Sequence, residues 1–563
     1  MLEKLFICFI AFFPFITFFG TESGMYNMYI LNIMTGIATI FAAIISWHRK
    51  YCVIISRIDI TIVFFILSSL LSAILNNKPI HPYTYINISF IILFIIATKN
   101  IIKNHIPFLC HTLCFSIILL VLIIVTLFFF YDLKSFFILI NNKMGNTGVC
   151  AIFLAIAICI MSHMKNYAKS NYQKLSFILL MILCTYMISQ CECRTALLVI
   201  AVYCFLEFFQ KKRRRYCSTN NKKHEIVFFI IATLLIGCCI LITTINTSKL
   251  NSITGRLFIL YNSLIMFYNN LLIGHGGFGS YATTYALHQA QWFSSHSNMD
   301  EIFILADNVM YANNEYLQTL CETGLCGFTV LITLIYWIII SLKNDGFLLY
   351  CIVLPLLCAA AFYYILHVTF LCTIALVPCI IASCRCNNQI IINNRSSVSC
   401  WIILLLGVFV TSYNIRHYNT ANMIYHTFER GKITRSQATH IVTQYGENRA
   451  FMALLATAYS DSIGDIYDNI ERNFIHSDVL WAEGRNLLAI GCDSLGEQKL
   501  ILASKIVPNR FRYNNELLQL YRQQGDTLKC HIIARKILDM PIKVPSPTVS
   551  AIKMEAKSIL EDL

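Results

Sequence analysis

The stretch YANNEYLQTLCETGLCGF, Tyr311 to Phe328, sets two carboxylates, Glu315 and Glu322, among Asn313, Asn314, Tyr316 and Gln318, immediately before an apolar run. Such groups bind hydroxyls and accept protons, and a helix entering a bilayer does not need them for packing. Two arginines offer a second chemistry. Arg194, in SQCECRTALL, and Arg256, in TGRLFILYNS, each stand at the edge of an apolar segment. A guanidinium there is costly to desolvate, so each has a carboxylate partner (Glu192, Asp307 or Glu322), a lipid headgroup or an anionic ligand. The run GHGGFG, Gly274 to Gly279, has the form G-x-G-x-x-G. No strand precedes it, so its glycines read as a tight turn carrying His275 rather than a dinucleotide site.

The elements that must position these groups are membrane helices. Of 563 residues 57% are hydrophobic and 13% charged, with a mean hydropathy of +0.65, a composition outside the soluble globular range. Apolar runs long enough for a bilayer core of ~30 Å recur at 5–20, 28–47, 60–76, 82–98, 107–131, 148–164, 175–190, 195–210, 226–244, 324–342, 346–366, 368–384 and 401–413. The first has no small-residue cleavage site after it and reads as a helix. The expected fold is therefore all-α, a polytopic bundle of 12–13 transmembrane helices over residues 1–413. The long inter-span segment 245–323 and a soluble helical tail, 414–563, complete it.

Lysine and arginine stay on the cytoplasmic side. Threading from a cytoplasmic N-terminus puts 19 of them inside and 6 outside: Lys78, Lys134, Lys143, Arg194, Lys249 and Arg256. Segment 245–323 and the tail then lie outside, away from the nucleotide pool. Residues 1–412 carry 25 Lys+Arg against 13 Asp+Glu, whereas 413–563 carry 18 against 16, so the net +14 is topological. It does not point to nucleic acid, and the run QKKRRRYCSTNNKKHE reads as a cytoplasmic loop. Of the 24 cysteines, 22 precede residue 413, mostly within apolar spans, where they act as small hydrophobes. None has metal-ligand spacing, so no metal site is expected.

The tail, from WAEGRNLLAIG to ARKILDMP, reads as helix–turn–helix units with Gly491 and Gly525 at turns and small or apolar residues on helical faces. It resembles degenerate tetratricopeptide-type repeats, which bind partners or brace neighbouring domains.

The order GNTG (Gly145 to Gly148), SQCECRTA with Arg194, GR with Arg256 followed by GHGGFGSY, and NEYLQ with ETGLCG before a span resembles the O-antigen ligase and polymerase superfamily, especially Bacteroidetes-type members with a C-terminal repeat domain. The resemblance implies a GT-C-like, inverting, metal-independent glycosyltransferase of the bacterial inner membrane, without cofactor, with its C-terminal domain periplasmic. Its donor would be a glycan on a polyprenyl (undecaprenyl) diphosphate, its acceptor lipid A core, another glycan or a protein, and its surroundings membrane lipid. Arg194 and Arg256 match the diphosphate-gripping arginines, whose planar fork suits that group.

One position departs. The family places a histidine before the Asn of the N-[ED]-Y-L block to activate the acceptor, and here that residue is Asn313, which cannot act as a base. The expectation is that Glu315 takes the role, then His296 or His275, with Asn313, Asn314, Tyr316 and Gln318 binding substrate. Alternatively, Asn314 caps the helix and Glu322, Gly324 and Gly327 shape its entry into the membrane. The alternative functions are protein O-oligosaccharyl transfer, polysaccharide transport and a membrane scaffold.

Overall fold

The computed structural model describes residues 1–19, 27–215, 247–296, 300–387, 389–392, 396–429, 433–446, 448–458 and 464–562. They are almost wholly helical, apart from one two-stranded antiparallel sheet pairing Val53–Ile55 with Ile390–Ile392. Among the described residues eight helices are long and apolar enough to cross a membrane, and a ninth candidate is the pair Leu2–Ala11 and Phe13–Phe19, bent by 53°. The expected span 346–366 is a short, irregular helix broken by a π-turn at Leu349–Val353, and 368–384 is the short helix Thr369–Arg385. The span 226–244 and most of the basic run lie outside the described residues.

Local chemistry explains where the helices start. Ser56 and Asp59 form a reciprocal capping box, as do Ser170 and Gln173, and proline opens the helix Pro82–Lys103; each satisfies or removes amides that a first turn leaves unpaired. The bundle buries a large aliphatic core centred on Thr147–Lys165, whose residues Val149 to Cys159 are enclosed.

The helix ends segregate into two groups. One holds Glu3 with Arg49 at 3.3 Å and His105 at 2.9 Å, Arg385 with Asp345 at 2.9 Å, and Arg57 over the Trp337 ring at 4.9 Å. Lys99 belongs here too; instead of a loop cation it is a fully enclosed side chain, paired with Asp59 and donating to the Ile54 carbonyl at 3.1 Å, while Ser383 donates to Asp59 at 2.8 Å. Burial of such a pair demands these extra hydrogen bonds. The opposite end gathers GNTG, Arg194, Arg256, GHGGFG and NEYLQ.

Segment 245–323 is built from the helices Thr247–Asn269, Tyr281–Ser295 and Asp300–Leu305 and the start of Glu315–Leu342. In the first, the amphipathic spacing after Arg256 leads one to expect Leu257, Leu260, Tyr261, Leu264, Ile265 and Tyr268 to pack on the bundle, but Ile265 is only half-buried, the other five are exposed, and Phe258, Asn262, Ser263 and Met266 are buried instead. Helical period identifies an apolar stripe, but a stripe that faces lipid and one that faces the core read alike.

The last apolar helix, Ser396–Glu429, is followed, among the described residues, by eight tail helices between Arg435 and Asp562. Consecutive helices cross closely where Gly484 faces Gly496: a Cβ on Gly484 would meet the Gly496 carbonyl oxygen at 3.1 Å. The tail also clamps segment 245–323. Asn509 donates to the carbonyls of Phe303, Ile304 and Ala306, Gln289 to Ile506, and Asn308 and Ser477 bond reciprocally at 2.9 Å.

Within the tail, burial together with neighbouring Glu471 pushes the Glu483 carboxyl up to about 9, against the pull of Lys499 at 3.0 Å. The folded state then keeps a proton that the unfolded chain releases near ~4.3, so stability falls as pH rises between those values. Glu483→Gln should raise the melting midpoint of the full chain at about pH 8 and leave it nearly unchanged at about pH 4. A lower midpoint at the higher pH would show instead that an ionised Glu483 is what Lys499 needs.

Candidate functional site

The helix Glu315–Leu342 is not continuous. Gly324 has φ 65° and ψ −166°, a backbone conformation that only glycine adopts readily. The break leaves helical amides and carbonyls unpaired where the apolar run begins, which is tolerated only where other backbone replaces them. The GHGGFG turn does this: Leu325 and Cys326 donate to Leu271 and Leu272 at 2.8 and 3.1 Å, while His275 and Gly277 donate to Cys321 and Glu322, both at 2.9 Å. Ser72 adds a hydroxyl to the Glu322 carbonyl at 2.8 Å, and Gly279 donates to the Glu322 side chain at 3.2 Å. The glycines are thus one half of a backbone latch whose other half is ETG.

The latch fixes the first turns of this helix as a short, polar, buried platform. Asn313 sits at φ 53°, a left-handed conformation that asparagine tolerates better than most residues. Asn314 is the N-cap, accepting from the Leu317 amide at 3.0 Å. Glu315 follows at the first helical position, where the helix dipole favours a carboxylate; it is 2% exposed. Its oxygens accept the Leu366 amide at 2.6 Å and lie 3.3 Å from His367 Nδ1. Gln318 accepts the Ala312 amide at 3.2 Å and donates toward His367 Nε2 at 3.1 Å and Glu322 at 3.3 Å. The Tyr316 hydroxyl donates to the Leu357 carbonyl at 2.8 Å, tying the platform to the bundle.

His367 is the residue that sequence reasoning missed. It ends the 3-10 turn Ile365–His367 between two apolar helices, and its only signal was a lone polar residue between the expected spans 346–366 and 368–384.

An aromatic stack carries the platform toward the arginines. Tyr311 packs on His367 at 4.7 Å and on Tyr364 at 4.6 Å, and Tyr364 stacks on Tyr363 at 4.5 Å. Asn146, of GNTG, caps Thr147–Lys165 and donates to the Tyr364 hydroxyl at 3.4 Å. Gly148 leaves room for Tyr363, since a Cβ there would meet the phenol oxygen at 2.8 Å. That oxygen is buried and has no hydrogen-bond partner among the described residues. Burial pushes the Tyr363 phenol well above its ordinary value, and the Arg256 guanidinium acts in the opposite direction. Burial likewise raises the Cys193 thiol, and Arg256 again opposes it. Arg256 therefore lies on the side of the molecule that holds Tyr363 and Cys193, just before the helix Arg194–Arg215, where Arg194 is half-buried.

The structure thus gathers Asn313, Asn314, Glu315, Tyr316 and Gln318 into one platform, which the Tyr311–Tyr364–Tyr363 stack joins to GNTG; Arg256 acts on Tyr363 and Cys193, and Arg194 follows Cys193 in the chain. Two candidates lie apart. His275 is held by its ring to the Met266 carbonyl at 2.6 Å and packs edge-on against His288; desolvation lowers its basicity. His296 is exposed and stacked flat on Trp292 at 4.5 Å. Of the carboxylates considered as arginine partners, Asp307 pairs with Arg510 of the tail at 3.6 Å and Glu322 serves the latch.

Comparison with family models matches residues 135–332 to the family described as O-antigen ligase. Comparison with curated proteins gives no match. The matched segment holds GNTG, both arginines and the broken helix down to its membrane half; it stops before Tyr363, Tyr364 and His367.

Proposed function

We propose, from the likeness of residues 135–332 to the O-antigen ligase family, that this protein moves a glycan from a polyprenyl-diphosphate carrier to an acceptor hydroxyl at the face of a bacterial inner membrane that carries the tail. The family match supports membrane glycan transfer of the O-antigen ligase kind. The observation that supports the finer reading is that Arg256 acts on both Tyr363 and Cys193, the residue before Arg194, beside GNTG. The Arg194 and Arg256 guanidiniums balance the charge that develops on the leaving diphosphate, and preorganised charge of this kind is where such a reaction gains most.

Proximity does the rest, since a good leaving group needs mainly an aligned acceptor. The polar platform, about one aromatic stack away from the arginines, is the place for that acceptor. The tail braces the segment leading into Tyr311, which gives it a positioning task.

A deletion strain should accumulate polyprenyl-diphosphate-linked glycan on the outer face of the membrane, reactive to periodate in intact spheroplasts, and the wild-type chain should clear it. Accumulation confined to the inner face would favour a transporter, and no accumulation at all would sink the glycosyltransferase reading.

A further inference from the structure

We propose that His367 is the general base of this site, taking the acceptor's proton on Nε2, and that Glu315 is the residue that positions it. The inference rests on the glycan-transfer reading above.

Access separates the two residues. The Glu315 side chain is 3% exposed and the His367 side chain 32%. The carboxylate is enclosed between the Leu366 amide and the imidazole, so an incoming sugar hydroxyl meets the ring and not the acid. Hydrogen bonding also selects the tautomer. Because the Gln318 carbonyl oxygen is occupied by the Ala312 amide, its NH2 group must face His367 Nε2, which therefore presents a lone pair. The ring proton then sits on Nδ1, directed at Glu315. An acid that holds the Nδ1 proton inward and leaves Nε2 a lone pair, met here by the Gln318 amide, is the arrangement that makes histidine an effective base. It also accounts for Asn313: the imidazole reaches the platform from residue 367, so the polar block needs none of its own.

In the step, the acceptor O–H displaces the Gln318 NH2 from Nε2, and Glu322 retains that amide. The acceptor oxygen forms its bond to the anomeric carbon as its proton moves to Nε2. The bond from the anomeric carbon to the phosphate oxygen breaks, and the diphosphate leaves with the electron pair. The imidazolium, stabilised by Glu315, later returns its proton to the released diphosphate or to water.

The test uses membranes of the deletion strain, which contain the accumulated donor, with purified full-length protein, following loss of the polyprenyl-linked glycan by mass spectrometry across a pH series. The charged and titratable groups around His367 are Glu315 on the broken helix, Glu322 beyond Gln318, Tyr311, Tyr364, and Cys372, whose thiol contacts the Leu366 carbonyl. His367→Gln should lower the rate by on the order of 100-fold or more while melting and gel filtration stay as in the wild type. Adding Asn313→His to that variant should restore part of the rate. Glu315→Gln should keep a residual rate whose pH midpoint moves down, because removing the carboxylate makes the protonated ring less stable. A His367→Gln rate within about threefold of wild type overturns the assignment. If that variant does not fold, Glu315→Gln decides alone, and an unmoved pH midpoint overturns it. Wild-type protein that fails to consume the donor would instead overturn the glycan-transfer reading itself.

Discussion

Arg256→Ala should reduce glycan transfer by on the order of 100-fold or more with the protein still expressed and folded. The side chain is exposed and carries no buried packing, so its removal leaves no cavity. Its influence on Tyr363 and Cys193 sets its charge on the side of the molecule that holds GNTG. Arg256→Lys should recover little, because an ammonium has one point of charge where a guanidinium offers a planar fork to two phosphate oxygens. The measurement is the polyprenyl-linked glycan pool in complemented cells, with Arg194→Ala beside it. Full activity in Arg256→Lys would assign that residue plain charge balance, and full activity in Arg256→Ala would remove it from the diphosphate site.

Gly324→Ala should destabilise the folded chain by roughly 3 kcal/mol or more. Its backbone region alone costs any other residue about 1–3 kcal/mol, and the added Cβ would meet the Gly274 amide nitrogen at 2.6 Å. Gly274→Ala should behave alike from the other side of the latch, its Cβ meeting the Glu322 carbonyl oxygen at 2.6 Å. Both prise apart the same exchanged hydrogen bonds, so the double variant should cost less than the two single costs added together. Thermal melting of purified protein reads this directly. A Gly324→Ala protein as stable as the wild type would mean that the helix straightens without loss and that the latch is not what orients the polar platform.

The grouping of functional motifs was legible in the sequence because each is a local departure from its surroundings: a carboxylate, an amide or a lone guanidinium stands out in an apolar chain. The N-cap at Asn314 was legible for the same reason. His367 was not, since what marks it as a candidate is Glu315, 52 residues away, and no local pattern encodes a contact that only the packing of two separate turns creates. The meaning of GHGGFG was half legible. Its glycines announced a turn, but that the turn replaces the backbone hydrogen bonds of a broken helix depends on Gly324 arriving beside it.

By itself the sequence determined that this is an all-helical membrane protein, where most of its spans run, which residues are candidates for chemistry and which family its central segment resembles. These follow from composition and from short-range spacing, and both act on the chain before it folds. Tertiary structure alone decided which face of Thr247–Asn269 turns inward, that Lys99 is sealed against Asp59, and that the imidazole absent at 313 arrives from 367. Each of these depends on what lies opposite, lipid, carboxylate or turn, and the identity of a neighbour distant in sequence is fixed only when helices pack.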